Sequence, residues 1–265
     1  MRHRGRRSGT GIIVRDEKVT VVLPARNEAD RLAESVRRLD HFCRGNLHDR
    51  DWHILVAVNG SDDGTEHIAE LMSRRLGNVG TLVLQSPGRG GALRRAATLA
   101  ASGGDTGILV YMDVDLSTDL RALPALLEAV SAGADIAVGS RRHKRSQVTR
   151  SPARTALTAG YNTMLRLFLR VRTFSDAQCG FKAFRLPALA SLLPHVHDNG
   201  WFFDTEVLFL AERAGMQIAE IPIHWVEARR SSVDIPSTIL ENLAGMARLR
   251  LSRSSMVAIT GKQAR

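Results

Sequence analysis

Two carboxylates stand one residue apart at Asp113 and Asp115, directly after the apolar run 107–112. On a strand, residues i and i+2 point to the same face. A strand that ends here would therefore aim both side chains into one space. Paired oxygen donors of this kind suit a hard divalent cation, and a diphosphate can supply that cation's remaining oxygens. Two solvated acids at a strand end would carry the same letters. What separates the two readings is whether the rest of the chain is built around these residues.

The flanking sequence supplies a scaffold. Short β-rich runs at 19–23, 54–58, 81–84, 108–112 and 136–138 alternate with helical stretches at 28–42, 66–76, 91–101 and 120–130. In the last of these, Pro124 is tolerable only near the first turns. Strands alternating with helices imply an α/β domain with a mostly parallel central sheet flanked by helices. In such sheets the ligand crevice lies beyond the carboxyl ends of the strands. The segments that follow the strands are polar and glycine-bearing: Pro24-Ala25-Arg26-Asn27-Glu28, Asn59 to Thr65, Ser86 to Gly91, Asp113-Val114-Asp115 and Gly139-Ser140-Arg141. They are expected to converge at one edge.

After residue 140 the rhythm changes. A basic loop at 141–150 leads into a helical stretch at 154–169, and the segment 176–184 precedes a short helix near 186–193. The run 201–214 reads as strand or helix start, and 218–223 as a strand. The expected organisation is a basic flexible N-terminus (1–18), one catalytic domain (19–232) and a basic amphipathic appendage (233–265). Within the domain, the nucleotide half spans about 19–140 and the acceptor half about 141–232.

With 265 residues, the chain has room for one such domain. No apolar run approaches the roughly 20 residues a membrane span needs, and no apolar signal core follows the basic residues 2–7. Cys43 and Cys179, far apart, read as reduced thiols and not as a disulfide framework. These features point to the cytoplasm. The net charge of +10 asks for an anionic partner. Basic residues cluster at 2–7, at 141–154 and in the C-terminal stretch 248–265. No helix-turn-helix, zinc finger or stacking module is evident, which disfavours specific nucleic-acid recognition. Ile235, Ile239, Leu243 and Met246, with Arg248, Arg250 and Arg253, pattern as a basic amphipathic helix. Such a helix suits peripheral association with the cytoplasmic face of an anionic membrane, or packing on the domain or on a partner in a homo-oligomer.

A dinucleotide-binding glycine fingerprint fails, because Leu93 stands where the third glycine after Gly88 and Gly90 belongs. The order Pro-Ala-Arg-Asn-Glu, Asn-Gly-Ser-Asp-Asp-Gly-Thr, Gly-Arg-Gly-Gly-Ala and Asp-x-Asp instead resembles the family 2 glycosyltransferases, which have the nucleotide-diphospho-sugar transferase (GT-A) fold. The segments 176–184 (DAQCGFKAF), 201–208 (WFFDTEVL) and 220–225 (EIPIHW) are similar to the dolichyl- and polyprenyl-phosphate sugar transferases, especially the β-glucosyltransferase branch. The resemblance runs from about Val19 to about Ser232. Three departures stand out: Val58 and Asn59 where acids are usual, Arg89 for a usual lysine, and no transmembrane helices after the catalytic part.

The resemblance implies inverting transfer of a hexose, glucose by preference, from a nucleotide sugar such as UDP-glucose to a polyprenyl or dolichyl monophosphate. A soluble natural-product or nucleoside acceptor is the alternative, and a non-catalytic nucleotide-sugar or nucleic-acid binder a remote one. It further implies Mg²⁺ or Mn²⁺ at Asp113 and Asp115. Pro24, Ala25, Arg26, Asn27, Glu28, Asn59, Arg89 and Asp113 are then expected around the nucleotide. Asp176 is expected as base or as holder of the acceptor loop, with Asp115 beside it in the catalytic pair. Arg141, Arg154 and Lys182 are expected on the acceptor phosphate, and Trp201, Asp204 and Glu206 in the sugar pocket. Plainer roles compete: charge at a helix start for Glu28, a turn at Asn59-Gly60, and a helix cap for Ser117.

Overall fold

The computed structural model describes residues 15–102, 107–227 and 235–251. Expectations that fall on 1–14, 228–234 and 252–265, including the basic residues 2–7, Arg253, Lys262 and Arg265, lie outside the described residues.

The chain alternates strand and helix as β1 (Arg15–Ala25), α1 (Leu32–Asn46), β2 (Arg50–Asn59), α2 (Thr65–Arg75), β3 (Val79–Leu84), α3 (Arg89–Ser102), β4 (Ile108–Met112), α4 (Leu123–Ser131) and β5 (Ile136–Ser140). The second half adds β6 (Gln147–Thr149), α5 (Pro152–Met164), β7 (Phe181–Arg185), α6 (Leu186–Leu192), α7 (Phe203–Arg213), β8 (Ile218–Pro222), β9 (His224–Val226) and α8 (Ile235–Leu251). The main sheet has the order β3-β2-β1-β4-β7-β5-β8. All neighbours are parallel except β7, which runs antiparallel between β4 and β5. β6 and β9 form a separate parallel pair.

Both faces of the sheet are buried, so its strands read as nearly continuous apolar runs. Val19, Val21 and Leu23 of β1 face a core closed by α1, α2 and α4. Leu109 and Tyr111 of β4 face the second core, with α3, α6 and α7. The period of two then sends Asp113, two residues beyond Tyr111, toward α3 and α7.

Several boundaries differ from those expected. β1 begins at Arg15, so the last residues of the predicted flexible N-terminus belong to the sheet. Residues 28–31 form a turn ahead of α1, with the N–H groups of Arg31 and Leu32 donating to Glu28 O. The stretch 120–130 opens as a 3-10 turn, Leu120–Ala122, capped by Asp119, and Pro124 then falls in the first turn of α4. The run 201–214 is helical, and the basic loop contains β6. α8 packs on the domain through Met246 and Leu249. No helix among the described residues is long and apolar enough to cross a membrane.

Asn59 ties the strand ends together. It is buried, and its Nδ2 donates to Ala25 O at 3.0 Å and to Ala57 O at 3.3 Å. Its Oδ1 accepts from Gly88 N at 3.1 Å, so the loops after β1, β2 and β3 are joined through one side chain. We expect Asn59→Ala to cost about 2 kcal/mol, because it strands buried backbone groups without partners. Urea unfolding checks this: the midpoint should fall while the slope stays unchanged.

Candidate functional site

β4 stops at Met112, and Asp113 to Leu116 form a tight turn in which Leu116 N donates to Asp113 O at 3.1 Å. The two carboxylates are therefore presented from a turn and not from a strand, which corrects the strand-face expectation. Leu116 sits at φ 48, a left-handed conformation that costs a bulky residue roughly 1–2 kcal/mol. Asp115, Ser117, Thr118, Gly180 and Trp225 line a cleft with Asp113. Gly180 lies directly under Asp113, where a Cβ would collide with the carboxylate. Asp115 Oδ1 accepts from Ser117 N at 3.0 Å. The Ser117 hydroxyl is buried without a hydrogen-bond partner among the described residues, and the capping role expected for it belongs to Asp119.

Behind this turn lies a cluster of buried charges. Arg89, at the start of α3, donates from Nη2 to Asp113 Oδ1 at 3.0 Å and from Nη1 to Asp204 Oδ2 at 2.5 Å. Its guanidinium lies 5.0 Å from the Tyr111 ring centroid and 5.4 Å from that of Trp201. Burial opposes its charge, but Asp204 and Asp113 prevail and hold it above the ordinary arginine value. Asp204 also accepts from the Tyr111 hydroxyl and pairs with Lys182 Nζ at 3.3 Å. Lys182 is fully buried and donates to Tyr111 Oη at 2.9 Å and to Cys179 O at 2.6 Å. Burial pushes its ammonium down to about 7. Lys182 is thus an internal strut on β7, which corrects its expected place on an acceptor phosphate. Asp204 is likewise a buried anchor for Arg89. Of the expected sugar-pocket residues, Trp201 is the one exposed to solvent.

The glycine-rich run 88–91 has a packing role. Gly91 N donates to Asn199 O at 2.9 Å. A Cβ at Gly90 would stand 2.5 Å from Phe203 Cβ. These glycines let the segment 199–203 approach α3, which brings Trp201 and Asp204 onto Arg89. Arg94 fastens the same segment through Leu193 O at 2.8 Å and Asp198 O at 3.2 Å.

On the nucleotide side, Asn27 sits at φ 55, and its Oδ1 accepts from Asp62 N at 3.1 Å. Glu28 N donates to Thr65 Oγ1 at 2.8 Å, and Ala29 N to Asp63 Oδ2 at 3.1 Å. The loops after β1 and β2 therefore form one wall. Pro24 and Ala25 end β1 beneath it, and Arg26 is exposed. The amide of Asn59 is fully engaged in the scaffold, so it is not free to read a base. Burial pushes the Glu28 carboxyl above its ordinary value, Arg31 opposes that shift, and Asp115 and Asp113 add to it.

In the half expected to take the acceptor, Asp176 is buried and accepts from Arg141 Nε at 2.7 Å, from Arg141 Nη2 at 2.8 Å and from the Arg141 backbone N–H at 3.0 Å. Burial favours the neutral acid, but Arg141 prevails and holds the carboxyl below its ordinary value. An acid so held is a poor general base, and what it holds in this structure is Arg141. The Arg141 guanidinium lies 5.7 Å from the Trp225 ring, a wall of the cleft. Arg154 is paired with Glu227 at 2.7 Å. Glu206 is fully buried and accepts from His197 N, Asp198 N and Arg248 Nη2, so it is not a sugar ligand.

Sequence reasoning gave no site role to Tyr111, Gly180 or Trp225. Tyr111 was discoverable by its parity with Asp113. Trp225 lies in a segment that carried the family resemblance. The contact of Gly180 depends on the pairing of β4 with β7, which no local signal announces.

The residues present fit a divalent cation. Asp113 and Asp115 offer hard oxygens, the Ser117 hydroxyl is unpartnered beside them, and both acids press on Glu28. Among the described residues no group of three or more His, Cys, Asp or Glu is arranged to hold a metal alone. A cation there needs oxygens from elsewhere, and a diphosphate supplies them.

The chain matches the family described as Glycosyl transferase family 2 over residues 20–193. It is 40% identical over 225 residues to the protein named Glycosyltransferase AglD of Haloferax volcanii, covering 84% of this chain and 35% of that protein. It is 30% identical over 240 residues to the dolichyl-phosphate beta-glucosyltransferase of Saccharomyces cerevisiae, covering 82% of this chain and 70% of that one. Among solved structures, glucosyl-3-phosphoglycerate synthase from Mycobacterium tuberculosis, with Mn²⁺, UDP-glucose and phosphoglyceric acid, superposes with a TM-score of 0.61 at 19% identity. That match covers 92% of this chain and 80% of the other, and it shares the fold.

Removing the charge at Asp176 leaves a buried Arg141 uncompensated. We expect Asp176→Asn to lose about 3 kcal/mol. Because the folded-state carboxyl titrates below its unfolded value, its stabilisation is complete at neutral pH. It is lost as pH falls through the ordinary carboxylate range and below. Denaturation midpoints measured from pH 7 downward should therefore converge for the parent and the variant.

Proposed function

Because the chain belongs to glycosyl transferase family 2, we propose that it moves a glucosyl group from UDP-glucose to a polyprenyl monophosphate, using Mg²⁺ or Mn²⁺. The relatives named dolichyl-phosphate beta-glucosyltransferase support the sugar and the acceptor class. The solved neighbour crystallised with Mn²⁺ and UDP-glucose supports the donor and the metal.

The observation that carries the acceptor reading is the Asp176–Arg141 pair. A hydroxyl acceptor needs a base to take its proton, and Asp176 is committed to Arg141. A phosphate monoester needs none, because its second pKa of about 6 leaves it mostly ionised at pH 7. Arg141, whose Nη1 has no partner among the described residues, would hold that phosphate. Asp176 and Trp225 would fix the plane of the guanidinium.

The loops after β1 and β2, with Glu28 and Asn27, would frame the nucleoside. Asp113 and Asp115 would hold the metal, which when bound offsets charge developing on the leaving diphosphate. Arg89 holds Asp113 in place. An acceptor oxygen forms its bond to the anomeric carbon as the bond to the diphosphate oxygen breaks. The electron pair leaves with the nucleoside diphosphate, and attack from the opposite side inverts the centre. The protein's contribution is orientation and charge placement.

The test is transfer of labelled glucose from UDP-glucose, with Mn²⁺ and polyprenyl phosphate, followed by solvent partition. Label is expected in the organic phase, chelation should abolish it, and Asp115→Asn should lower kcat about 100-fold or more. Label that stays aqueous with an active enzyme would instead assign a soluble acceptor.

A further inference from the structure

α8 is apolar on two opposite sides. Met246 and Leu249 pack inward, where Gly245 admits the Phe202 ring and Arg248 reaches Glu206. Leu240, Leu243 and Leu251 occupy the opposite stripe and are exposed, Leu240 at 68% and Leu251 at 80%. A helix that meets only water on its outer side carries polar residues there. This stripe does not, and Glu241, the only acid in α8, falls to one side of it.

The stripe continues onto a second element. The π-helical turn Leu165–Leu169 that ends α5 exposes Leu167, at 78%, and Phe168. Arg250 donates from Nη1 to Phe168 O at 3.2 Å, and its guanidinium lies 5.8 Å from the Phe168 ring, so helix and turn form one surface. Arg166 and Arg170 are exposed on the same turn, and residues 150–170 contain no acid.

We propose that this surface docks the chain on an anionic lipid bilayer. The leucines and Phe168 enter the boundary between headgroups and acyl chains, while Arg166, Arg170 and Arg250 meet the lipid phosphates. Charge decides against a second copy of the chain as occupant, since a symmetric contact would bring this arginine-bearing, acid-poor surface against itself. The docking surface goes beyond the proposed reaction and does not depend on which acceptor is used.

Flotation of the full chain with vesicles of phosphatidylcholine, alone or mixed with phosphatidylglycerol, tests it without any sugar transfer. Binding is expected to the mixed vesicles, falling with salt. The double variant Leu167→Glu, Leu240→Glu should bind at least about tenfold more weakly, with an unchanged thermal midpoint because both positions are exposed. Undiminished binding by the variant would overturn the proposal, because the basic segments elsewhere would then be responsible. So would a parent chain that floats with neither vesicle, or a dimer that the same substitutions disperse.

Discussion

Carboxylates crowded beyond the end of β4 repel one another unless cations stand among them, and the rest of the site follows from meeting that demand. Arg89 meets part of it by bridging Asp113 and Asp204 from between two aromatic rings. Asp115 has no arginine or lysine partner among the described residues and takes only a backbone N–H from Ser117. Burial pushes Glu28 toward its neutral form, and both aspartates add to that shift. The protein thus balances the inner half of its acidic cluster and leaves the outer half without a cationic side chain among the described residues. This unmet half is the physical ground for the proposed cation.

The second charge pair works the other way. Asp176 spends its carboxylate on Arg141 and thereby fixes a cation at the far wall of the cleft. In the proposed reading, one wall takes the metal and diphosphate, and the other the anionic acceptor. The Asp113–Arg89 wall depends on close backbone approach. Gly180 leaves room for Asp113, and Gly90 leaves room for the segment that carries Trp201 and Asp204. Positioning here rests on missing side chains as much as on present ones.

The alternation of strands and helices was legible because each element is buried along a regular face, and the convergence of the strand-end loops followed from sheet geometry. The individual roles were less legible. Lys182, Asp204 and Glu206 read as site residues because they are charged residues in segments that carry the family resemblance, yet all three are buried partners of other charges. Burial is set by long-range packing: β7 inserts antiparallel beside β4, and α7 docks on α3. Asn59 looked available to a base, but its amide is consumed in joining three loops. Even the Asp-x-Asp pair leaves the strand for a turn, because Leu116 adopts a left-handed conformation that its residue type does not announce.

The most direct test of the central claim is a crystal structure with UDP-glucose and Mn²⁺, located by anomalous scattering. The account predicts an anomalous peak about 2.1 Å from an Asp115 carboxylate oxygen, with the diphosphate completing its ligands above Gly180. A metal and diphosphate bound elsewhere, with Asp115 touching neither, would contradict it.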